Sequence, residues 1–324
     1  MQFLRAVAFA AASLVLASSP SAAQDAYPSK PVRLVVPFGA AGPADLIARI
    51  VGQKLSEDLG KQFYVETHAG AGGNIGTALL TRAPADGYSL LINSQAIVIN
   101  ASLYKSLPYD PERDLAPIIR IANTPNVVIV HPSVPAKSMK ELAELMRGGD
   151  AKYHNYAHPG IGTPANLSGE MFRLAQKINL SAVPFGGGGP MVQSVVAGHT
   201  PVAFSSLAPA AAQIKAGGVR ALAVTAEKRD PTMPDIPTMS EAGFPGQVGE
   251  TPIGLLAPAG TPKAIIDLLH RKVVAIIAMP DTRQKLANIG FTPIGDTPEE
   301  FSAYLKAEKS KWAKVIADAG IKLP

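Results

Sequence analysis

Cysteine is absent from all 324 residues. That excludes a disulfide framework and any thiol chemistry. Tryptophan occurs once, aromatic residues make up 6% of the chain and charged residues 17%. No cluster of about five or more Lys and Arg residues appears, so the electrostatic footprint of a nucleic-acid binder is missing. The densest basic grouping, Lys306 to Lys314, is interrupted by Glu308 and Trp312 and reads as one solvated helix face. No stretch reaches the roughly 18 apolar residues that would mark a membrane-spanning helix. G-x-S-x-G, H-E-x-x-H and a P-loop lysine are also missing, so the common hydrolase, zinc-protease and nucleotide signatures do not apply.

What is there is globular: 47% hydrophobic residues, a formal charge of +5, and 29 each of Gly and Pro, which imply many sharp loops. The first 23 residues have the order of a secretory leader, with Arg5, an apolar run from Ala6 to Ala17, and Ser21-Ala22-Ala23 before Gln24. No Cys follows the apolar run, which argues against a lipid anchor. A soluble, exported protein is expected, and an exported chain of this size without cysteine suits a bacterial periplasm. About 300 residues then remain, enough for one large or two medium domains.

Along the chain, strand and helix alternate. Val32-Val36 is a continuous apolar run, as in a strand buried on both faces. A helix over 43–59 places Leu46, Ile47, Ile50, Val51, Leu55 and Leu59 on one side. Strand Gln62-Glu66, a helix near 74–83 and strand Tyr88-Ile92 complete a βαβαβ pattern, which implies a parallel sheet. The alternation restarts with strand Val127-Val130. Helix Ser138 to Gly148 follows, with Ser138 and Glu141 as a capping box. Strand Tyr153-Ala157, helix 164–177, strand Ala182-Pro184, helix 190–198, strand Val202-Ser205, helix 208–216 and strand Val219-Val224 follow. The tail reads as an extended Ile253-Ala257, a helix from Pro262 to Ala278, a short helix near 281–288, and a last helix from Pro298 to Ala319 capped by Thr297 and Glu300. Periodicity does not say which block the tail joins.

Three loops share one design: a strand ends, small residues follow, and a helix opens with proline. They are Phe38–Gly42 before Pro43, His158–Thr163 before Pro164, and Phe185–Gly189 before Pro190. Proline is preorganised for a first helical position. Helix starts carry a partial positive charge and unpaired N–H groups, which suit an anion. Glycine lets backbone approach a ligand closely. A fourth small-residue loop runs from Gly70 to Gly76. None of the four contains Lys or Arg. All would lie at the carboxyl ends of parallel strands, where open α/β sheets bind ligands. Backbone amides and small hydroxyls holding a carboxylate are the expectation; plain tight turns are the bland alternative for any one loop.

Rival chemistries fit less well. The Gly70–Gly76 spacing superficially resembles a dinucleotide loop, but the strand Tyr88-Ile92 leads to Asn93-Ser94-Gln95 rather than to a ribose-binding acid. His154 and His158 are four apart, yet they fall on a strand with no completing acid, so no metal is expected and both read as exposed loop or strand-end groups. Asp45, third in its helix, is most simply an acid that compensates the helix dipole, with ligand contact as the alternative. No cofactor is expected.

The stretches YPSKPVRLVVPFGAAGPADLIARIVGQKLSEDLG, GAGGNIGTALLTRAPADGYSLLI, INASLYKSLPYDPERDLAPI, GGVRALAVTAEKRDPTMPDIPTMSEAGFPG and GLLAPAGTPKAIIDLLH occur in this order. Together they resemble the periplasmic substrate-binding proteins of tripartite tricarboxylate transporters, the Bug family. The resemblance implies a two-domain, type II-like α/β binding protein, each domain a mainly parallel sheet flanked by helices, with a two-segment hinge. Domain one would comprise 27–124 and 250–324, domain two 125–249, with the hinge near Thr124 and Thr251. It implies a monomer that closes on a small carboxylate and offers it to membrane transporter subunits, with no catalysis. An exported hydrolase or lyase is the rival class.

The expected ligand contacts are Phe38, Gly39, Ala40, Ala41, Gly42, Ala44 and Asp45 from the first loop, and Gly72, Gly73 and Asn74 from the second. Ser94 and Gln95 would join from the end of the third strand. The other domain would supply Gly160, Gly162, Thr163 and Asn166, then Phe185, Gly186 and Gly187, and finally Ser205 and Ser206. Many family members carry Tyr-Lys-Gly or Tyr-Arg-Gly where Phe185-Gly186-Gly187 stands, and an Asp where Ser205-Ser206 stands. Loss of that acid suggests a ligand without positive charge. With Phe38 and Phe185 alongside, an aromatic dicarboxylate of the terephthalate or phthalate type is the first expectation and an aliphatic di- or tricarboxylate the second.

Overall fold

A computed structural model describes residues 27–148, 150–319 and 321. The expected leader lies outside them. The first sheet opens with β1 (Val32–Val36), β2 (Phe63–Thr67) and β3 (Ser89–Ser94), with β2 and β3 each parallel to β1 as the βαβαβ pattern requires. Between β1 and β2, α1 (Pro43–Leu59) starts at Gly42 and stops where Gly60 takes a left-handed φ of 67°. Its Ile47, Val51 and Leu55 are fully buried on the sheet. After β2 comes α2 (Asn74–Thr81); after β3 comes α3 (Ala96–Leu103), which the periodicity did not reveal. A short segment that is apolar all round cannot be told from a strand or a buried loop.

The largest departure from expectation is β4 (Leu115–Val130). It has 16 residues, where only Val127-Val130 was expected. Pro117 and Pro125 argue against a central strand. A register shift at Pro117/Ile119 accompanies the first, with another at Arg120/Ala122, while Pro125 stands in register opposite Glu250 where β4 changes partners. Residues 115–125 pair antiparallel with β9 (Glu250–Pro258). From Asn126 onward β4 pairs instead with β7 (Val202–Ser206) and β8 (Arg220–Val224). Two antiparallel strands thus pass side by side from one lobe to the other, with Thr124 opposite Thr251 and Pro125 opposite Glu250.

The second lobe contains α4 (Met139–Arg147), β5 (Asn155–His158), α5 (Pro164–Ala175), β6 (Ser181–Pro184), α6 (Gly188–Val196) and α7 (Leu207–Lys215). β5 runs parallel to both β6 and β7. Strand direction is therefore mostly uniform within each lobe. In the first lobe β9, apart from the two-residue edge strand (Thr292–Pro293) that also pairs antiparallel with β4, opposes β2, β1, β3 and β4; in the second β4 opposes β6, β5, β7 and β8. Each of these long reversed strands, β9 and β4, is the one that arrives from the other lobe. One local expectation needs correcting: α6 begins at Gly188, so Pro190 is its third residue, not its first. The missing amide hydrogen costs nothing there, because first-turn donors have no partner inside the helix.

The tail returns to the first lobe. α8 (Lys263–Ala278) buries Leu269, Val273 and Ile276 against the same face of the sheet as α1. α9 (Pro280–Asn288) and the short β10 (Thr292–Pro293), paired with β4, follow. α10 (Pro298–Ala319) starts with the expected capping box: the Glu300 amide donates to Thr297 Oγ1 and the Thr297 amide to Glu300 Oε2. Phe301 and Leu305 cover the other sheet face with Val35, Leu91 and Leu256. Further along, the fully buried Trp312 packs with Ile99 and Leu103 of α3 and with Leu167 of α5. One helix therefore binds both lobes beside the crossing strands.

Candidate functional site

Strands β1, β5 and β7 end, and their loops begin, on the side where the lobes meet. The starts of α1, α5, α6 and α7 converge there on one cavity of ≈ 360 Å³, part of it open to solvent. Its lining includes Gly42, Pro43 and Ala44 from α1, Thr163, Pro164 and Ala165 from α5, Gly187 and Gly188 from α6, and Ser206 just before α7. Phe38, Ser94, Pro159, Thr251 and Ile253 complete the wall. No acidic or basic side chain is among them. The polarity comes from hydroxyls and main chain. Among the described residues, the amides of Gly42, Ala44, Ala165 and Gly188 have no intramolecular acceptor. Four helix dipoles pointing into one uncharged cavity make a positive potential without a cation.

The hydroxyls are tied into the hinge. Ser206 Oγ donates to Thr251 Oγ1 at 3.2 Å, and Thr251 Oγ1 to Asn126 Oδ1 at 2.7 Å. Asn126 Nδ2 in turn reaches Ser168 Oγ and the Gly249 carbonyl. Thr124 Oγ1 accepts from the Ala208 amide at 3.3 Å. The cavity floor and the two crossing strands thus form one hydrogen-bonded unit.

A second cavity of ≈ 470 Å³ adjoins the first. Gly70 to Gly73, Tyr104, Gly160, Ile161 and Pro184 to Gly186 line it, and Phe38 and Pro159 line both cavities. Between the two, the lobes touch through glycines. The Gly39 amide donates to the Gly186 carbonyl at 2.8 Å. A methyl group added at Gly39 would sit 2.7 Å from that oxygen; at Gly72, 2.3 Å from the Ile161 carbonyl; at Gly189, 2.6 Å from the Ala40 carbonyl. Gly162, with φ +77°, approaches the Asn100 side chain as closely. The lobes meet here at distances no side chain allows.

Of the residues expected from sequence, Phe38, Gly42, Ala44, Ser94, Thr163, Gly187 and Ser206 line the first cavity. Gly72, Gly73, Gly160, Phe185 and Gly186 line the second. Gly39, Ala40 and Gly162 lie at the contact between lobes rather than in either lining. The others serve the scaffold. Asp45 is buried; its carboxylate accepts from the Ala41 amide at 2.9 Å and from Arg49 Nε at 3.0 Å, so Ala41 and Asp45 tie down the loop instead of lining the cavity. Asn74 Oδ1 accepts from Asn100 and Tyr109. Gln95 bridges the Glu250 carbonyl and the Tyr304 hydroxyl. Asn166 Oδ1 accepts from the Gly162 amide, and Ser205 Oγ donates to the Ser206 carbonyl.

Sequence reasoning missed Pro159, Tyr104, Ile161 and Ile253. Pro159 and Ile161 lie within the His158–Thr163 loop, beside the glycines expected as contacts, whereas Tyr104 and Ile253 stand in none of the four loops and reach the cleft only where separate segments meet. The sequence points to Thr251 as hinge and not as cavity wall, yet it lines the first cavity. His158 also differs from the exposed group expected: it is 0% exposed, its Nδ1 accepts from the Gly160 amide at 3.3 Å, and burial pushes its pKa down to about 4. His154 donates to the Gly148 carbonyl. Among the described residues, no group of three or more His, Asp and Glu side chains is placed to hold a metal ion.

Comparison with known proteins places this geometry. The sequence profile described as "Tripartite tricarboxylate transporter family receptor" matches residues 47–321. The periplasmic binding protein BugD is 34% identical, with a TM-score of 0.88 over 91% of this chain and 99% of its own. An R. palustris protein, Rpa4515, solved with adipate, gives the same identity, TM-score and coverage. MatC from Rhodopseudomonas palustris, solved with bound malate, is 29% identical, with a TM-score of 0.84 over 90% of this chain and 100% of its own. The two lobes are thus the two domains of a type II-like periplasmic binding protein.

Proposed function

The chain belongs to the tripartite tricarboxylate transporter receptor family, and from that premise we propose that it captures an organic carboxylate between its lobes and delivers it to membrane transporter subunits. One observation carries the reading: four helix starts point into a cavity that no charged side chain lines. A carboxylate there accepts from several main-chain amides and the Ser94, Thr163, Ser206 and Thr251 hydroxyls, and it meets the positive ends of the helix dipoles. No cation locks it in place, which suits a receptor that must release its cargo. Nothing in the cavity is equipped to activate a nucleophile, so the protein binds and does not catalyse. It acts as a periplasmic monomer, freed of residues 1–23.

The lobes divide as 27–124 with 250–324, and 125–249. The hinge is the strand pair at Thr124-Pro125 and Glu250-Thr251, where β4 changes partners. Two antiparallel strands that bend together allow the lobes to close on ligand, and differential affinity for the closed state drives that closure.

The favoured cargo is an aromatic dicarboxylate of the terephthalate or phthalate type. Phe38, Phe185 and Tyr104 offer flat apolar surfaces, and Ser205-Ser206 offers no acid for an ammonium group. A second reading, an aliphatic diacid, is favoured by the relatives solved with adipate and with malate. Thermal shift with terephthalate, phthalate, benzoate, adipate, malate, citrate and glutamate decides between them. A carboxylate is expected to raise the melting temperature and compact the protein in solution scattering. Silence across the panel sinks the proposal. A win for glutamate sinks the argument from the two serines, and turnover of a bound compound by purified protein would return the case for an enzyme.

A further inference from the structure

We infer that Phe38 is a length gauge: its ring partitions the cleft into two chambers, and the second takes the far end of any ligand too long for the first. The inference rests on the reading of the cleft as a carboxylate site. Phe38 and Pro159 are the residues common to both linings. The rest of the wall is main chain, because Gly187 faces the first chamber, Gly186 the second, and the Gly39 amide is bonded to the Gly186 carbonyl between them. Pro159 is a fixed ring and the glycine contact belongs to lobe closure. Phe38 is the one wall element that side-chain rotation alone moves.

Its ring is held from behind. A methyl group on Gly73 would lie 3.0 Å from Phe38 Cζ, so the ring packs flush on that glycine. The chamber beyond is bounded by Tyr104, Ile161, Phe185 and the Gly70–Gly73 main chain, again without a charged side chain. A short diacid satisfies the helix starts and stays in the first chamber. A long aliphatic or aromatic carboxylate fixes one carboxylate at the helix starts and lays its body past the ring, on apolar and aromatic surface. Ligand length is therefore read by the cost of displacing one phenyl ring.

The test is calorimetric titration of succinate, adipate and suberate into the wild type, Phe38→Ala and Ile161→Trp, each checked for folding by circular dichroism. Removing the ring is expected to raise the suberate-to-succinate affinity ratio about tenfold, and filling the second chamber to lower it by a similar factor. A ratio that stays constant in both folded variants overturns the gauge while leaving the carboxylate reading intact. If Phe38→Ala fails to fold, the response of Ile161→Trp decides. A wild type that binds no carboxylate, in this series or a wider panel, overturns the underlying reading and the gauge with it.

Discussion

The Gly39 amide donates to the Gly186 carbonyl at 2.8 Å, main chain to main chain across the cleft. A bond of this kind needs the two lobes in contact, and it leaves no room for a side chain at Gly39, whereas a Cβ at Gly186 would meet nothing within 4 Å. Replacing Gly39 by Ala puts a methyl 2.7 Å from the acceptor oxygen. Neither backbone can step aside without opening the lobes. We expect Gly39→Ala to fold, to scatter with a larger radius of gyration than wild type in the presence of ligand, and to bind about tenfold more weakly, since the fraction of closed molecules scales the apparent affinity. Scattering curves that superimpose on wild type would remove the glycine contact from the closure mechanism.

Ser206 stands at the start of α7 and faces the cavity. Ser206→Asp places a permanent carboxylate where the proposed cargo carboxylate sits. It is expected to weaken binding of any dicarboxylate by about a hundredfold or more, from direct competition and like-charge repulsion at short range. The melting temperature of the ligand-free protein is expected to fall slightly, because the buried carboxylate is desolvated and cannot donate to Thr251, while its place at a helix start offsets part of that cost. Undiminished dicarboxylate binding would show that the ligand carboxylate is held elsewhere.

Trp312 is fully buried between α3 of one lobe and α5 of the other, and its indole donates to Glu308 at 2.7 Å. Trp312→Ala opens a large cavity and removes the indole donor from Glu308, whose carboxylate keeps only the Lys311 ammonium at 3.3 Å. A loss of about 3–5 kcal/mol in unfolding free energy follows from large-to-small core substitution. The value is to be read from urea midpoints at unchanged slope. A loss below about 1 kcal/mol would mean that the site collapses freely and that α10 does not hold the lobes together.

His158 gives stability a pH dependence with a definite sign. Burial lowers its pKa from the ordinary 6.5 to about 4. The folded state therefore keeps the ring neutral where the unfolded chain already takes up a proton. Its contribution is complete above about 6.5 and is lost as pH falls from there toward about 4. The window corresponds to at most about 3–4 kcal/mol. In His158→Asn, the side-chain oxygen still accepts the Gly160 amide but does not titrate. The difference in urea midpoint between wild type and this variant is expected to shrink as pH is lowered through the window, and a constant difference would contradict the assignment.

The alternating elements were legible one by one. A 3.6-residue stripe places Ile47, Val51 and Leu55 together, proline marks the starts of α1 and α5, and Thr297 with Glu300 caps α10, all from contacts within a few residues. Local rules also located the loops, since small residues between a strand and a helix need no partner to be recognised. They failed at α3, whose apolar residues face two lobes at once, and at β4, where Pro117 sits at a register shift against β9 and Pro125 at the change of partners.

What the sequence by itself determined is the class of chemistry: helix starts, glycines and hydroxyls, with no cation, acid cluster or thiol to bring to a ligand. What the tertiary structure decided is which of those groups face a common space. Asp45, Asn74, Gln95 and Ser205 sit in the right loops but turn inward, because a buried polar side chain next to an unpaired main-chain or side-chain partner is bonded locally before it can serve a ligand. Phe38, Tyr104 and Ile161 share a cleft only because β4 and β9 fold the two lobes face to face. Convergence of this kind depends on contacts far apart in the chain, and local propensity carries no record of them.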